Sequence, residues 1–361
     1  NSEQDFIIEN LSKKIETEKV IKFENLKDLL LKNNKDILAA KSKISESNFN
    51  LRSLQSQWYP SLSLTSSAIP KYISGYTKNN LAADTSTQQV QKNISANLEW
   101  DIYNPSRIPS IKEGFYNLKI AKLDLTRLTR DLHLETIRQF FLIKKVSQDI
   151  NISEQALQVS NFSLIEAEDK LKAGIGNKLE VLEARTQLKR DELMLIKQFG
   201  ELKKEKRNLA NILNLNEEIK IDIDKKTNLM GFWSSSIDES IENALNNRIS
   251  LQRLKFSELA NKEKAKSIIG GKKPRLSLYN SYSISSSDGE LNVQEPNSSK
   301  NSRNETNTVG IQLNWLLFDG GGLNYSFKGL REKGEQIDAQ YKKSKQEIQE
   351  SLRNKFIDLE I

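Results

Sequence analysis

Chemistry needs a reactive side chain in company, and this sequence offers few candidates. His133 is the only histidine of the chain, and it stands among leucines at helical spacing. With no cysteine anywhere and no carboxylate cluster beside it, His133 lacks the partners of a metal site or a triad. It reads as structural or solvent-facing. The run Asp319-Gly320-Gly321-Gly322 follows a strand pattern and opens a helix pattern, the context of a phosphate-cradling loop. A dinucleotide fingerprint wants glycine where Tyr325 stands, however, and the parallel strand-helix-strand unit it requires is missing. Asp319, Gly320 and Gly321 are therefore read as a tight strand-to-helix turn. No catalytic constellation, metal site or cofactor is expected, and the chain is not read as an enzyme.

The net charge of +7 could suggest nucleic acid. Bases alternate with acids, though, as in Lys203-Lys204-Glu205-Lys206-Arg207, which describes a solvated helix face and no phosphate-binding patch. Of the 361 residues only 37% are apolar and 29% are charged. That is thin for compact cores and ordinary for long helices with narrow buried seams. No run approaches the roughly 18 apolar residues of a spanning helix, so any membrane crossing must be made by β-strands. The chain starts at Asn1 without an apolar leader, consistent with a removed signal peptide or with a trimmed sequence.

The elements occur twice. Asn33-Asn34 recurs as Asn246-Asn247 (246 − 33 = 213), Pro60-Ser61-Leu62-Ser63-Leu64 as Pro274-Arg275-Leu276-Ser277-Leu278 (274 − 60 = 214), and Leu98-Glu99-Trp100 as Leu313-Asn314-Trp315 (315 − 100 = 215). Such constant spacing marks a duplication. An N-terminal extension covers 1–22 and the first repeat 23–215. That repeat holds a helix over 23–57, strands over 60–66 and 92–103, and a helical hairpin over 112–172 and 178–215. A linker over 216–235, with alternation from Ile219 to Asp224, precedes the second repeat, 236–361. There a helix over 236–269, strands over 275–285 and 307–318, and a helix over 322–361 are expected.

The strands show period-two alternation, clearest in Ile94, Ala96, Leu98, Trp100 and Ile102 against Ser95, Asn97, Glu99 and Asp101. One greasy and one polar face fits a half-buried soluble sheet as well as a membrane strand. Two features favour the membrane: long Ser/Thr/Asn-rich connections, Ser66 to Gln89 and Ser285 to Asn307, and bracketing aromatics. The aromatics are Trp58, Tyr59, Trp100 and Tyr103 in the first repeat, with Tyr279, Tyr282, Trp315 and Phe318 in the second. Four strands cannot close a barrel, so several copies must contribute. Between the strand pairs, apolar residues step by three and four through Ile143, Val146, Ile150, Ser153, Leu157, Ser160, Leu164, Ala167 and Leu171. After Gly174-Ile175-Gly176-Asn177 the seam resumes at Val181, Ala184, Leu188, Leu195, Leu202, Leu209 and Ile212, a heptad pattern.

The chain resembles the outer-membrane efflux protein (TolC-like) family from about Phe23 to its end. Three pieces carry this: Tyr59-Pro60-Ser61-Leu62 closing a Leu-rich helix, the junctions Leu98 to Asn104 and Leu313 to Gly321, and the hairpin turn Ala173 to Ala184. The resemblance implies a mixed α and β fold: a long coiled-coil hairpin forming part of a helical barrel, plus four strands given to a trimeric transmembrane β-barrel. It implies a homotrimer in the bacterial outer membrane, its helices in the periplasm, serving as the passive exit duct of a tripartite efflux or type I secretion system. The implied partners are outer-membrane lipid, a periplasmic adaptor and an inner-membrane pump of RND or ABC type. The adaptor is expected at the tip: Gly174, Ile175, Gly176, Asn177, Lys178, Leu179, Val181 and Leu182. A plain helix-reversing turn accounts for the same glycines. The family's second repeat should also hold a hairpin, which this chain lacks, so the sequence is expected to be a fragment without the gating residues. The competing reading is a periplasmic adaptor or structural coiled-coil protein with a soluble β-domain.

Overall fold

The computed structural model describes residues 19–78, 85–215, 221–224, 231–290 and 301–360. In chain order the elements are β1 (Lys19–Ile21), α1 (Leu26–Asn33), α2 (Lys35–Gln55), β2 (Ser61–Thr77), β3 (Thr85–Tyr103), α3 (Arg107–Lys172), α4 (Lys178–Ile212), β4 (Ile221–Ile223), α5 (Ile237–Asn247), α6 (Ile249–Gly270), β5 (Arg275–Glu290), β6 (Ser302–Asn314) and α7 (Gly322–Glu360). This is a mixed α and β fold of long helices and four antiparallel strands. Two compact units share the chain, one of residues 1–43 and 123–239, the other of 44–122 and 240–361. Among the described residues no helix is long and apolar enough to cross a membrane.

In the first unit the largest cluster of buried residues joins Ile21, Leu26, Leu30 and Ile37 to Phe140, Ile143, Leu209, Leu213, Ile221 and Ile223. Strands β1 and β4 pair in parallel, Val20 opposite Asp222. Strand β1 falls in the segment expected as an N-terminal extension, of which residues 1–18 lie outside the described residues. Three residues, Lys19, Val20 and Ile21, are too short a run for alternation to reveal. The linker expected over 216–235 is described only at 221–224 and 231–235. Asn34 closes this core at the α1–α2 break. Its side chain accepts from the Asp36 and Ile37 N–H groups at 2.9 and 3.1 Å and donates to the Ile212 carbonyl at 2.9 Å. It thus supplies an N-cap and anchors the end of α4 together.

Helix α3 has 66 residues, about 99 Å at 1.5 Å per residue. The heptad seam is where burial falls on the hairpin. Ile143, Val146, Ile150, Ser153 and Ser160 of α3, with Val181, Leu195 and Leu209 of α4, are buried while most of their neighbours are exposed. Glu205 also sits in the seam, 5% exposed, accepting at Oε2 from Gln139 Nε2 at 2.5 Å and from Asn208 Nδ2 at 2.8 Å. The Gln139 hydrogen bond holds its carboxyl below the usual range against the opposing effect of burial. His133 is half-buried on α3, with Nδ1 buried and unpartnered.

The second unit holds a four-stranded sheet in the order β2-β3-β5-β6, all pairs antiparallel. The strands are longer than their sequence suggests. Strand β2 continues to Thr77 and β3 begins at Thr85, inside the stretch expected as a loop from Ser66 to Gln89. Register shifts between Thr65 and Ala68 and between Ala68 and Lys71, with Pro70 inside the second, scramble the period-two signal there. The connection expected from Ser285 to Asn307 likewise holds strand at both ends, its middle, 291–300, lying outside the described residues. In the other direction β6 stops at Asn314, four residues before the expected Phe318. Asn314 pairs with Arg275, and the residue before Arg275 is Pro274, which has no N–H to continue the ladder.

Candidate functional site

Register makes the sheet two-sided. Ladder partners put Leu62, Leu98, Asn280 and Val309 in one row across all four strands, and Trp100, Leu278 and Ile311 in the row beside it. Ile94 pairs with Ile284 on the same face. The intervening rows are polar: Ser61 opposite Glu99 opposite Tyr279, and Ser63 opposite Asn97 opposite Ser281. The apolar rows run from Leu276 and Leu313 up to Ile94 and Ile284, eight residues or about 26 Å along the strand. At a tilt of about 40° that covers roughly 20 Å, close to the apolar band of a membrane barrel. Among the described residues nothing covers the face: Leu62, Leu64, Val309, Ile311 and Leu313 are 62–76% exposed. The outer edges, β2 and β6, have a strand partner on one side only.

The bracketing aromatics divide. Trp100 lies on the apolar face, and Tyr59, Trp315 and Phe318 are exposed just outside the ladders. Tyr103 follows a register shift at the end of β3. Tyr279 occupies an odd position of β5, in the polar rows. It lies across Gly310, where an added Cβ would stand 2.7 Å from the phenol oxygen. Tyr282, Tyr72 and Tyr76 occupy the apolar side, the last two in the stretch read as loop.

Helix and sheet are joined twice by matching devices. Trp100 Nε1 donates to the Trp58 carbonyl at 2.9 Å, and Trp315 Nε1 to the Lys272 carbonyl at 3.0 Å. Asn104 Oδ1 accepts from the Ser106 N–H at 3.1 Å, and Asp319 Oδ1 from the Gly321 N–H at 2.9 Å. Asp319 Oδ2 takes the Leu323 N–H at 2.7 Å, and these backbone bonds, that of Leu323 foremost, hold its carboxyl below the usual range. Gly320 and Gly321, at φ of 65° and 90°, supply the left-handed turn. The helix-terminal donors are thereby taken by the chain's own carboxylate, which leaves no phosphate cradle at Gly320–Gly322.

An arginine–carboxylate cluster sits at the first junction. Arg107, 2% exposed, lies 4.4 Å over the Trp58 ring, donates from Nη2 to the Asp101 carbonyl at 2.6 Å and sits 3.8 Å from Asp101 Oδ2. Arg275 donates to Asp101 Oδ1 at 2.7 Å and to Glu99 Oε1 at 3.1 Å. The duplication hides this: Ser61 stands where Arg275 would be in the first repeat, and Gly322 where Arg107 would be in the second.

The hairpin tip belongs to the other unit. The N–H groups of Gly174 and Ile175 donate to Leu171 and Lys170 carbonyls at 3.1 Å each, and Gly174 has φ +78°, a Schellman closure of α3. At Gly176 a Cβ would be crowded, 3.0 Å from the Lys170 Cβ. Asn177 then caps α4, accepting from the Glu180 N–H at 2.9 Å. Of the expected contact residues, Ile175 (80%), Leu179 (62%) and Leu182 (58%) are exposed, as are Asn177 and Lys178, whereas Val181 turns into the seam. Beside Ile175 an open groove of about 550 Å³ is lined by Phe162, Ile165, Ala173, Asp169 and Lys170. Phe162 and Ile165 fall off the seam positions, and that off-phase placement was their signal in the sequence.

The sequence matches the Outer membrane efflux protein family over residues 26–215. No curated protein matches it. Among solved structures the fold is similar to the outer-membrane channel OprN, at TM-score 0.73 and 15% identity over 93% of this chain and 73% of that one. It is similar to the outer membrane protein VceC of Vibrio cholerae, at TM-score 0.72 and 13% identity over 90% and 75%. The Campylobacter jejuni CmeC outer membrane channel gives TM-score 0.71 and 16% identity over 89% and 67%.

Proposed function

Because the chain belongs to the Outer membrane efflux protein family, we propose that three identical copies close one barrel through β2 and β6 and that the hairpin tip docks a periplasmic adaptor. As a member the chain is an outer-membrane efflux channel protomer and not an enzyme. Channels of this family are trimeric. The observation that carries the barrel reading is the sheet itself. Among the described residues its apolar face spans four strands with nothing over it, and its two edge strands each have one partner. An exposed apolar face belongs against lipid, and in lipid every edge N–H and carbonyl must be paired. Pairing β6 of one copy with β2 of the next meets both demands. The polar rows then face a water-filled lumen, through which cargo diffuses without a chemical step.

At the tip, Ile175, Leu179 and Leu182 with Phe162 and Ile165 offer apolar area between Asp169 and Lys170. Burying each large side chain contributes about 1.5–3 kcal/mol before ordering costs, enough for a partner helix to be held. In this reading that helix comes from the adaptor of an inner-membrane pump, of RND or ABC type, in tripartite efflux or type I secretion.

The chain has no cysteine, so introduced pairs report cleanly. Within one copy β2 and β6 are three strand spacings apart, about 14 Å, far beyond disulfide reach. Paired cysteines across the two edges, taken from a panel such as Ser63→Cys with Gln312→Cys at staggered registers, should give covalent trimers on oxidation. Monomers at every register would rule out the closure.

A further inference from the structure

The polar face of the sheet is almost free of charge. On β3 the odd positions from 89 to 97 are all glutamine, asparagine or serine, and on β5 the odd positions from 281 to 287 are all serine. On β6 the even positions from 302 to 308 are serine, asparagine or threonine. These strands do carry ionic residues, but the register sends Lys92, Asp288, Arg303 and Glu305 to the opposite face. On β3, β5 and β6 the neutral stretch is about 26 Å long, counted from Asn97 to Gln89, and on β2 it is interrupted by Lys71 opposite Gln91.

Ionic groups gather at the lower end of this face. Glu99 and Asp101 bring two carboxylates, and Arg275 reaches both, at 3.1 and 2.7 Å. Arg107 lies 3.8 Å from the other Asp101 oxygen. Two cations thus balance two anions. The remaining ionic side chain of the face, among the described residues, is Lys71, opposite Gln91. Of the two arginines, Arg107 is sealed under Trp58, whereas Arg275 is 43% exposed beside Glu99, itself 54% exposed.

We infer that the wall formed by β3, β5 and β6 does not sort cargo by charge, and that Arg275, with Arg107, keeps its lower rim balanced by pairing with Glu99 and Asp101. This rests on the polar face being the lumen. A hydroxyl and amide wall offers donors and acceptors to anions, cations and zwitterions alike, whereas rings of charged side chains create ion selectivity. Removing Arg275 leaves Asp101 with the sealed Arg107 alone and Glu99 without a cation, so the lower rim gains one net negative charge from each copy. The cargo class that fits is polar solute of either sign.

The full-length trimer in a planar bilayer under a KCl gradient reads this directly. Arg275→Gln should raise the potassium-to-chloride permeability ratio over wild type by about threefold or more, as an exposed acidic ring does. Glu99→Gln should lower it. Arg303→Gln removes the same charge from the opposite face and should leave the ratio unchanged. Conducting Arg275→Gln and Glu99→Gln trimers with the wild-type ratio would overturn the inference, as would an equal shift from Arg303→Gln. A wild-type protein that forms no conducting pore would sink the channel reading itself, and this inference with it.

Discussion

The indole nitrogen of Trp100 donates to the carbonyl oxygen of Trp58, 2.9 Å away, tying the end of β3 to the turn that closes α2. Its counterpart, Trp315 to Lys272 at 3.0 Å, repeats the tie in the second half of the chain. The spacings differ by one residue (100 − 58 = 42, 315 − 272 = 43), so the duplication is kept at the level of single hydrogen bonds. Trp100→Phe and Trp315→Phe each remove one donor and keep most of the ring. Each should lower stability by about 1 kcal/mol, and two such distant sites should add. Urea unfolding of the detergent-extracted protein, followed by tryptophan fluorescence, checks this. Unequal losses would mean the two junctions do not carry load alike.

Gly174 closes α3 at φ +78°. Gly174→Ala should cost about 1 kcal/mol from the left-handed conformation alone. If the tip docks an adaptor, that substitution and Ile175→Asp should both weaken adaptor cross-linking while leaving the trimer intact. Retained cross-linking in Ile175→Asp would move the docking surface elsewhere.

Glu205 is a buried acid in an apolar seam, satisfied by Gln139 and Asn208. Glu205→Ala should cost about 1–3 kcal/mol because both amides lose their acceptor. The folded-state pKa is depressed, so the carboxylate's stabilising effect is present above the unfolded-state value, near 4.3. It is lost as the pH falls through the lower folded-state value. The gap in melting temperature between wild type and Glu205→Gln should therefore be constant at neutral pH and narrow below about pH 4. A gap that widens in acid would contradict the assignment.

Asp319 follows the same sign. Its carboxylate accepts two backbone N–H groups at the start of α7 and is depressed by them. Asp319→Ala should lower the melting temperature at neutral pH, and acid should bring wild type down toward the variant. Asp319→Asn, which can still accept as Asn104 does in the first repeat, should lose less. Circular dichroism melts across pH 3–7 distinguish the three.

Much of this architecture was written in the sequence wherever one physical signal acted alone. The heptad seam from Ile143 to Leu171 was legible because its positions are buried or half-buried along one stripe of the helix. The rows Ile94 to Trp100 and Val309 to Leu313 were legible because one face is apolar without interruption. Strand β2 beyond Ser66 was not, since two register shifts and Pro70 break its period. The start of β6 was not, since Ser302 to Thr308 is polar on both faces. Tyr279 counts among the bracketing aromatics by type, and its odd position beside Leu278 places it in the polar rows. The Arg107–Asp101–Arg275 cluster was invisible because it joins residues 174 apart in sequence and has no copy in the second repeat. At the tip the turn chemistry of Gly174 and Asn177 was readable, whereas the groove at Phe162 needs the three-dimensional hairpin.

In the proposed reading this chain builds its barrel from copies of itself in the outer membrane. Light scattering of the full-length protein, extracted in detergent from the outer-membrane fraction, tests it most directly. A detergent-dependent particle whose protein mass is three times that of one chain is expected. A water-soluble monomer or dimer that never enters that fraction would contradict it.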